Sequence, residues 1–123
     1  MKKDHSLLGS FKYAARGLKD AVKQESNLKV HLVIALAACI SALFFKFNPL
    51  EWAILVLTVS MVFLLELINT TLETLVDIVS PEINEKSRIA KDVSAAGVLL
   101  AAIASIIIGV FLFLPKILPR LFY

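Results

Sequence analysis

Pro49-Leu-Glu-Trp52-Ala-Ile-Leu-Val-Leu-Thr58-Val-Ser60-Met-Val-Phe-Leu-Leu-Glu66-Leu-Ile-Asn69-Thr-Thr-Leu-Glu73-Thr-Leu-Val-Asp77-Ile-Val79 is the stretch on which the fold turns. It opens on a helix start: Asn48 as N-cap, Pro49 at the first helical position and Glu51 as the glutamate of a capping box. From Trp52 to Leu65 it carries no charge, and then Glu66, Asn69, Glu73 and Asp77 follow. At about 100° per residue these four fall within about 80° of one another, stacked over three turns of one helix face. The spacing therefore predicts a membrane-crossing helix over about 50–79, with one polar stripe in its second half.

The rest of the chain agrees with lipid as the main solvent. Its 123 residues are 59% hydrophobic and 19% charged, too apolar for a soluble domain of one core, which leaves much of its surface wet. Val30 to Phe45 and Val93 to Leu114 are two further charge-free runs, giving spans over about 29–47 and 86–114. Pro115 is expected to stop the last one. Before the first span, Leu7, Leu8, Phe11, Ala15, Leu18 and Val22 recur at helical spacing among Lys12, Arg16, Lys19 and Lys23, which predicts an amphipathic surface helix over about 6–24. The expected fold is all-α and integral to the membrane: one domain, 1–123, of a surface helix and three transmembrane helices.

Charge position sets topology and excludes other classes. Seven of the thirteen basic residues precede the first span, one (Lys46) lies in the first loop, and Lys86, Arg88 and Lys91 cluster at the second. That distribution places the N-terminus in the cytoplasm and the C-terminus outside. It also reads as a membrane anchor and not as a nucleic-acid patch. The first long apolar run begins too late for a cleavable signal peptide. Cys39 is the single cysteine and cannot form an internal disulfide.

A stripe of carboxylates and an amide at membrane depth can hold a divalent cation, relay protons or act as a base. The plain alternative is a snorkelling helix end, strongest for Asp77. Lys91-Asp92 opens the third span at the same level, where it can meet phosphate or serve only as an anchor. Glu25, just before the first span, can join Glu73 at a metal or stand as an ordinary interfacial charge, the plainer reading, and His31 by itself reads as an interfacial histidine. A small-residue stripe, Gly97, Ala101, Ser105 and Gly109, permits close helix approach. No GxxxxGK[ST] loop, GxGxxG or zinc pattern is present, so any nucleotide chemistry falls to carboxylates, a metal and scattered basic residues.

Glu66-Leu-Ile-Asn69-Thr70-Thr-Leu-Glu73-Thr-Leu-Val-Asp77, followed by Ala90-Lys91-Asp92, resembles the prokaryotic diacylglycerol kinase family over nearly the whole chain. Glu25-x-Asn27-x-x-x-His31 and Leu114-Pro115 look like its Gram-positive branch, which contains undecaprenol kinases. The resemblance implies a homotrimer in the plasma membrane with active sites shared between protomers, ATP as donor, Mg2+ as cofactor and a lipid alcohol as acceptor. It implies Glu66 as general base at the lipid substrate and Asn69 as its polar neighbour. It implies Glu25 and Glu73 as metal-holding carboxylates that also contact nucleotide. Tyr13, Glu82, Ile83, Asn84, Lys91 and Asp92 are implied as nucleotide contacts, with Asp77 an acidic position without an assigned role. The basic residue and tryptophan on the surface helix of Gram-negative diacylglycerol kinases align with Ser6 and Ala15 here, which favours a different lipid. The expected activity is thus phosphorylation of undecaprenol, with diacylglycerol as the alternative acceptor. A cation- or proton-conducting oligomer is a distant alternative, for which the outer half of the second span offers only Thr58 and Ser60.

Overall fold

A computed structural model describes residues 6–82 and 84–122. They form four helices: α1 (Leu7–Gln24), α2 (Ser26–Phe44), α3 (Pro49–Val79) and α4 (Glu85–Phe122). The fold is all-helical, and α2, α3 and α4 are each long and apolar enough to cross a membrane.

Helix α1 starts where the Ser6 hydroxyl oxygen accepts from the Gly9 N–H at 3.0 Å. Leu7, Leu8 and Phe11 stay exposed on it, and only Gly9 and Ala21 are buried. Such an apolar face beside a basic one suits the membrane interface. A single extended residue, Glu25 (φ −100°, ψ 113°), separates α1 from α2, so the chain turns into the membrane at one position.

The turn after α2 is a Schellman cap. Lys46 adopts a left-handed φ of 54°, its N–H donates to Leu43 O, and the Phe47 N–H donates to Ala42 O, both at 3.1 Å. The cap drives Phe47 inward onto Ala42, Leu55 and Leu112, the nucleus of the apolar cluster that seals this end of the bundle. Phe47 also packs on Phe113 (ring centroids 4.9 Å apart) and Trp52 (6.1 Å). The capping box of α3 forms as its residues require: Asn48 Oδ1 accepts from the Glu51 N–H at 2.9 Å, and Glu51 Oε2 accepts from the Asn48 N–H at 2.8 Å.

Helices α3 and α4 run antiparallel across a short connection, and two ion pairs mark their register. Glu51 Oε1 meets Lys116 Nζ at 2.9 Å at one end, and Asp77 Oδ1 meets Lys91 Nζ at 2.5 Å at the other. Lys116 also explains where the expected end of the last span fails. Pro115 and Pro119 lie inside α4, which continues to Phe122. Pro115 loses one backbone hydrogen bond, but Lys116 beside it is held by Glu51 and sits 5.7 Å over the Phe47 ring, contacts that keep the chain against α3. The other boundary differences are small: α2 occupies Ser26–Phe44 and not 29–47, because the Glu25 corner and the Schellman cap bracket it.

Several hydroxyls in the spans are satisfied within their own helices. Ser41, Thr58, Thr70, Thr71 and Thr74 each donate to the carbonyl four residues back, at 2.8 to 3.0 Å, as a lipid surround demands. The small-residue stripe of α4 is only partly used: Ala101 is buried, whereas a Cβ added at Gly97 or Gly109 would meet nothing within 4 Å.

Replacing Asn48 with Ala should remove the cap of α3 and cost about 1 kcal/mol, read as a lowered thermal midpoint in detergent. An unchanged midpoint would show that the capping box contributes nothing to this end of the bundle.

Candidate active site

The polar stripe forms as its periodicity demands, and its burial is graded. Leu55, Val62, Glu66 and Asn69 are the buried residues of α3 and lie on one face. Glu66 is 2% exposed and Asn69 8%; Glu73 is half-buried and Asp77 exposed. Helix α3 has 31 residues, about 46 Å at about 1.5 Å per residue, against a hydrocarbon core of roughly 30 Å. With Pro49 at one boundary, the other falls about twenty residues on, near Asn69. Glu66 then lies just inside the apolar region, and Glu73 and Asp77 lie among the headgroups.

Two acceptor atoms of this stripe are buried without a hydrogen-bond donor among the described residues: Glu66 Oε1 and Asn69 Oδ1. The other end of the Asn69 amide is occupied, with Nδ2 donating to Glu73 Oε1 at 3.1 Å. The Thr70 hydroxyl reaches the Glu66 carbonyl and not its carboxylate. Leaving a buried acceptor unmet costs about 1–3 kcal/mol, so the pair of open oxygens marks a place where an external donor is favoured.

His31 departs from its sequence expectation. It is not a simple interfacial side chain: it turns inward from α2, with Nε2 3.1 Å from Glu66 Oε1. The contact is within ion-pair distance but off the ring N–H direction, which is why Glu66 Oε1 lacks a directed hydrogen bond. The signal for this was present in phase. Leu28, which is fully buried, and Ala42 share a helical face with His31, Ala35 and Ala38, so the small-residue stripe of α2 extends through His31. His31 also lines a cavity of ≈ 260 Å³ between α2, α3 and α4, whose other walls include Ile34, Ala38, Val62 and Leu112.

At the wetter end, Lys91 pairs with Asp77, and Asp92 pairs with Arg88 Nη1 at 2.5 Å. Arg88 also holds Glu85 at 2.6 Å through Nη2. Asp77, Arg88, Lys91 and Asp92, with Ser80 and Ser87, line a concavity of ≈ 210 Å³ with two cationic side chains in its wall. By sequence Arg88 is only one of the basic residues that set topology; its spacing of three from Glu85 and four from Asp92 is the signal for its further contacts. Asn84 caps α4, its Oδ1 accepting from the Ser87 N–H at 3.0 Å, and its Nδ2 donates to Ser80 Oγ at 2.8 Å. Glu82 is exposed, and its carbonyl accepts from Ser80 Oγ at 3.0 Å. Ile83 lies outside the described residues.

Tyr13 is half-buried on α1, away from the α3–α4 pairs in sequence. Glu25 is half-buried at the corner, its N–H donating to Ala21 O while its carboxylate makes no capping bond. Among the described residues no three His, Cys, Asp or Glu side chains converge closely enough to hold a metal ion. The donor chemistry nevertheless fits a hard cation: one or two carboxylates completed by phosphate oxygens and water are the usual surroundings of Mg2+. Glu73 and Glu25 supply such carboxylates.

Comparison with known proteins follows from this geometry. The family model described as prokaryotic diacylglycerol kinase matches residues 12–113. A diacylglycerol kinase of Synechocystis sp. is 40% identical over 114 residues, covering 92% of this chain and 65% of that protein. An undecaprenol kinase of Bacillus subtilis is 35% identical over 108 residues, 88% of each chain. A diacylglycerol kinase of Escherichia coli is 30% identical over 95 residues, 77% of this chain and 78% of that one. The chain thus spans just under two thirds of the Synechocystis relative's length and most of the other two.

Changing Asp77 to Asn should release Lys91 at little cost in stability, under about 1 kcal/mol for so exposed a pair. Thermal unfolding in detergent checks this, and a loss of several kcal/mol would mean that the pair is structural.

Proposed function

Because the chain belongs to the prokaryotic diacylglycerol kinase family, we propose that it is an ATP-dependent lipid kinase that phosphorylates the hydroxyl of undecaprenol. The observation that carries the reading is Glu66 Oε1, a buried carboxylate oxygen without a hydrogen-bond donor among the described residues, which the length of α3 puts just inside the apolar boundary. That is the level at which the hydroxyl of a membrane lipid alcohol resides. The apolar cavity beginning at His31 supports a substrate with a long hydrocarbon tail. The similarity to an undecaprenol kinase supports the polyprenol; the greater identity to a diacylglycerol kinase favours diacylglycerol as the second reading.

In this mechanism the lipid O–H donates to Glu66 Oε1, which accepts its proton as the alcohol oxygen attacks the γ-phosphorus of ATP. Asn69 ties the base to the metal side of the site, since its Nδ2 restrains Glu73. Glu73 lies two turns from Glu66, about 10 Å along the axis, enough to separate proton acceptor from phosphate. Glu73 and Glu25 would hold Mg2+ with the nucleotide, and the ion would supply charge neutralisation at the phosphates. Lys91 and Arg88 present cations to the phosphates, with Asp77 holding Lys91 at that level. Tyr13, Asp92 and the 82–84 connection complete the nucleotide side.

Among the described residues no three candidate ligands converge on a cation, and the spans leave Leu36, Leu57, Leu100 and Phe111 exposed. Both features support a homotrimer with shared sites. The basic excess before α2 supports a plasma-membrane protein with its N-terminus cytoplasmic and C-terminus outside, which puts the Glu73 end on the ATP side.

Glu66→Gln, nearly the same size but no base, should lower kcat by about 10²-fold or more while ATP binding stays within about threefold of wild type by calorimetry. Normal turnover in this variant would remove Glu66 as base. Glu73→Ala should shift the magnesium titration of activity to about tenfold higher concentration or beyond; an unshifted titration would take Glu73 out of the metal site.

A further inference from the structure

The proposed transfer leaves Glu66 with a proton that it must lose before the next turnover. In each cycle the lipid O–H bond breaks and an O–P bond forms. The bond from the γ-phosphorus to the bridging oxygen of ADP breaks, and one proton goes to Glu66. A carboxylate that is 2% exposed has almost no direct path to water. The neighbouring polar groups do not provide one: Thr70 bonds the Glu66 carbonyl, and Asn69 turns its amide nitrogen to Glu73.

His31 provides one. Its Nε2 is 3.1 Å from Glu66 Oε1, a separation within the reach of proton transfer once the ring turns that nitrogen onto the oxygen. Its side chain is 20% exposed, tenfold more than that of Glu66. It stands on the second turn of α2, close to the corner at Glu25, and Lys29 two residues before it reaches back 3.3 Å to Lys23 O. Imidazole accepts a proton at one nitrogen and releases one from the other, which a carboxylate or amide does not do across a ring. The groups around it are few. Glu66 faces it from α3, Glu25 at the corner and Lys29 on α2 precede it, and the α4 residues that share its cavity (Ser105, Ile106, Ile108, Gly109, Leu112 and Phe113) carry no titratable side chain.

We propose that His31 is the proton exit of Glu66, taking the proton at Nε2 and giving one from Nδ1 to water. It acts through Glu66 and does not touch the reacting atoms, so it is a positioning residue for the base. This inference rests on the kinase reading above.

The test compares purified wild type, His31→Ala and His31→Gln in mixed micelles with saturating ATP and either undecaprenol or diacylglycerol, with and without added imidazole. Both variants should lose about 10- to 100-fold in kcat, with KM for ATP and lipid within about twofold of wild type. Imidazole should restore His31→Ala at least about fivefold and leave His31→Gln, whose amide fills the space, unrescued. Gln keeps a hydrogen-bonding group of similar reach, so it separates proton transfer from mere support of Glu66. The relay is overturned if His31→Gln turns over within about threefold of wild type, or if imidazole leaves His31→Ala unrescued. Wild type that transfers phosphate to neither lipid would instead overturn the kinase reading; a failed relay leaves wild-type transfer intact.

Discussion

A carboxylate placed inside a helix made for lipid is the constraint to which the rest of the molecule answers. An acidic side chain at the centre of a spanning helix costs about 3 kcal/mol on insertion scales, and Glu66 is 2% exposed. The cost is reduced from two directions. His31 reaches it from α2, and the length of α3 places it near the edge of the hydrocarbon and not at its middle. From there polarity rises towards the α3–α4 connection through Asn69, Glu73 and Asp77, so that one helix face passes from buried to exposed polar groups.

That gradient depends on a fixed register between α3 and α4. The Glu51–Lys116 and Asp77–Lys91 pairs mark it at both ends, but paired charges as exposed as Asp77 and Lys91 contribute little energy. Packing around Phe47 contributes more. The left-handed Lys46 and the Schellman bonds direct that ring onto Ala42, Leu55 and Leu112, and the aromatic neighbours Trp52 and Phe113 close over it. The end of the bundle remote from the stripe therefore anchors the helices, and the stripe end is left to its polar side chains. The proposed phosphoryl transfer fits a chain of 123 residues because lipid would supply the apolar walls that a soluble kinase builds from its own residues.

Much of this was legible before any coordinates. Hydropathy delimits the helices, Asn48-Pro49-Leu-Glu51 announces the start of α3, and the offsets of Glu66, Asn69, Glu73 and Asp77 place them on one face. What was illegible depends on contacts between elements. Pro115 signals a stop by its own chemistry, and only the hold of Glu51 and Phe47 on Lys116 carries α4 past it. His31 is an unremarkable residue within α2; its meaning comes from the facing position on α3. Arg88 reads as an anchor until Glu85 and Asp92 are seen to share it. Glu25 and Glu73 are metal-holding only by resemblance to a family, and among the described residues no three His, Cys, Asp or Glu side chains converge.

The central claim is that the open oxygen of Glu66 receives a lipid hydroxyl. Its most direct test is transfer of label from γ-labelled ATP to lipid by the purified protein, with undecaprenol and diacylglycerol offered in the same mixed micelles. The account predicts magnesium-dependent label in the lipid phase, with the larger specificity constant for undecaprenol. Label appearing only as inorganic phosphate, with neither lipid phosphorylated, would contradict it.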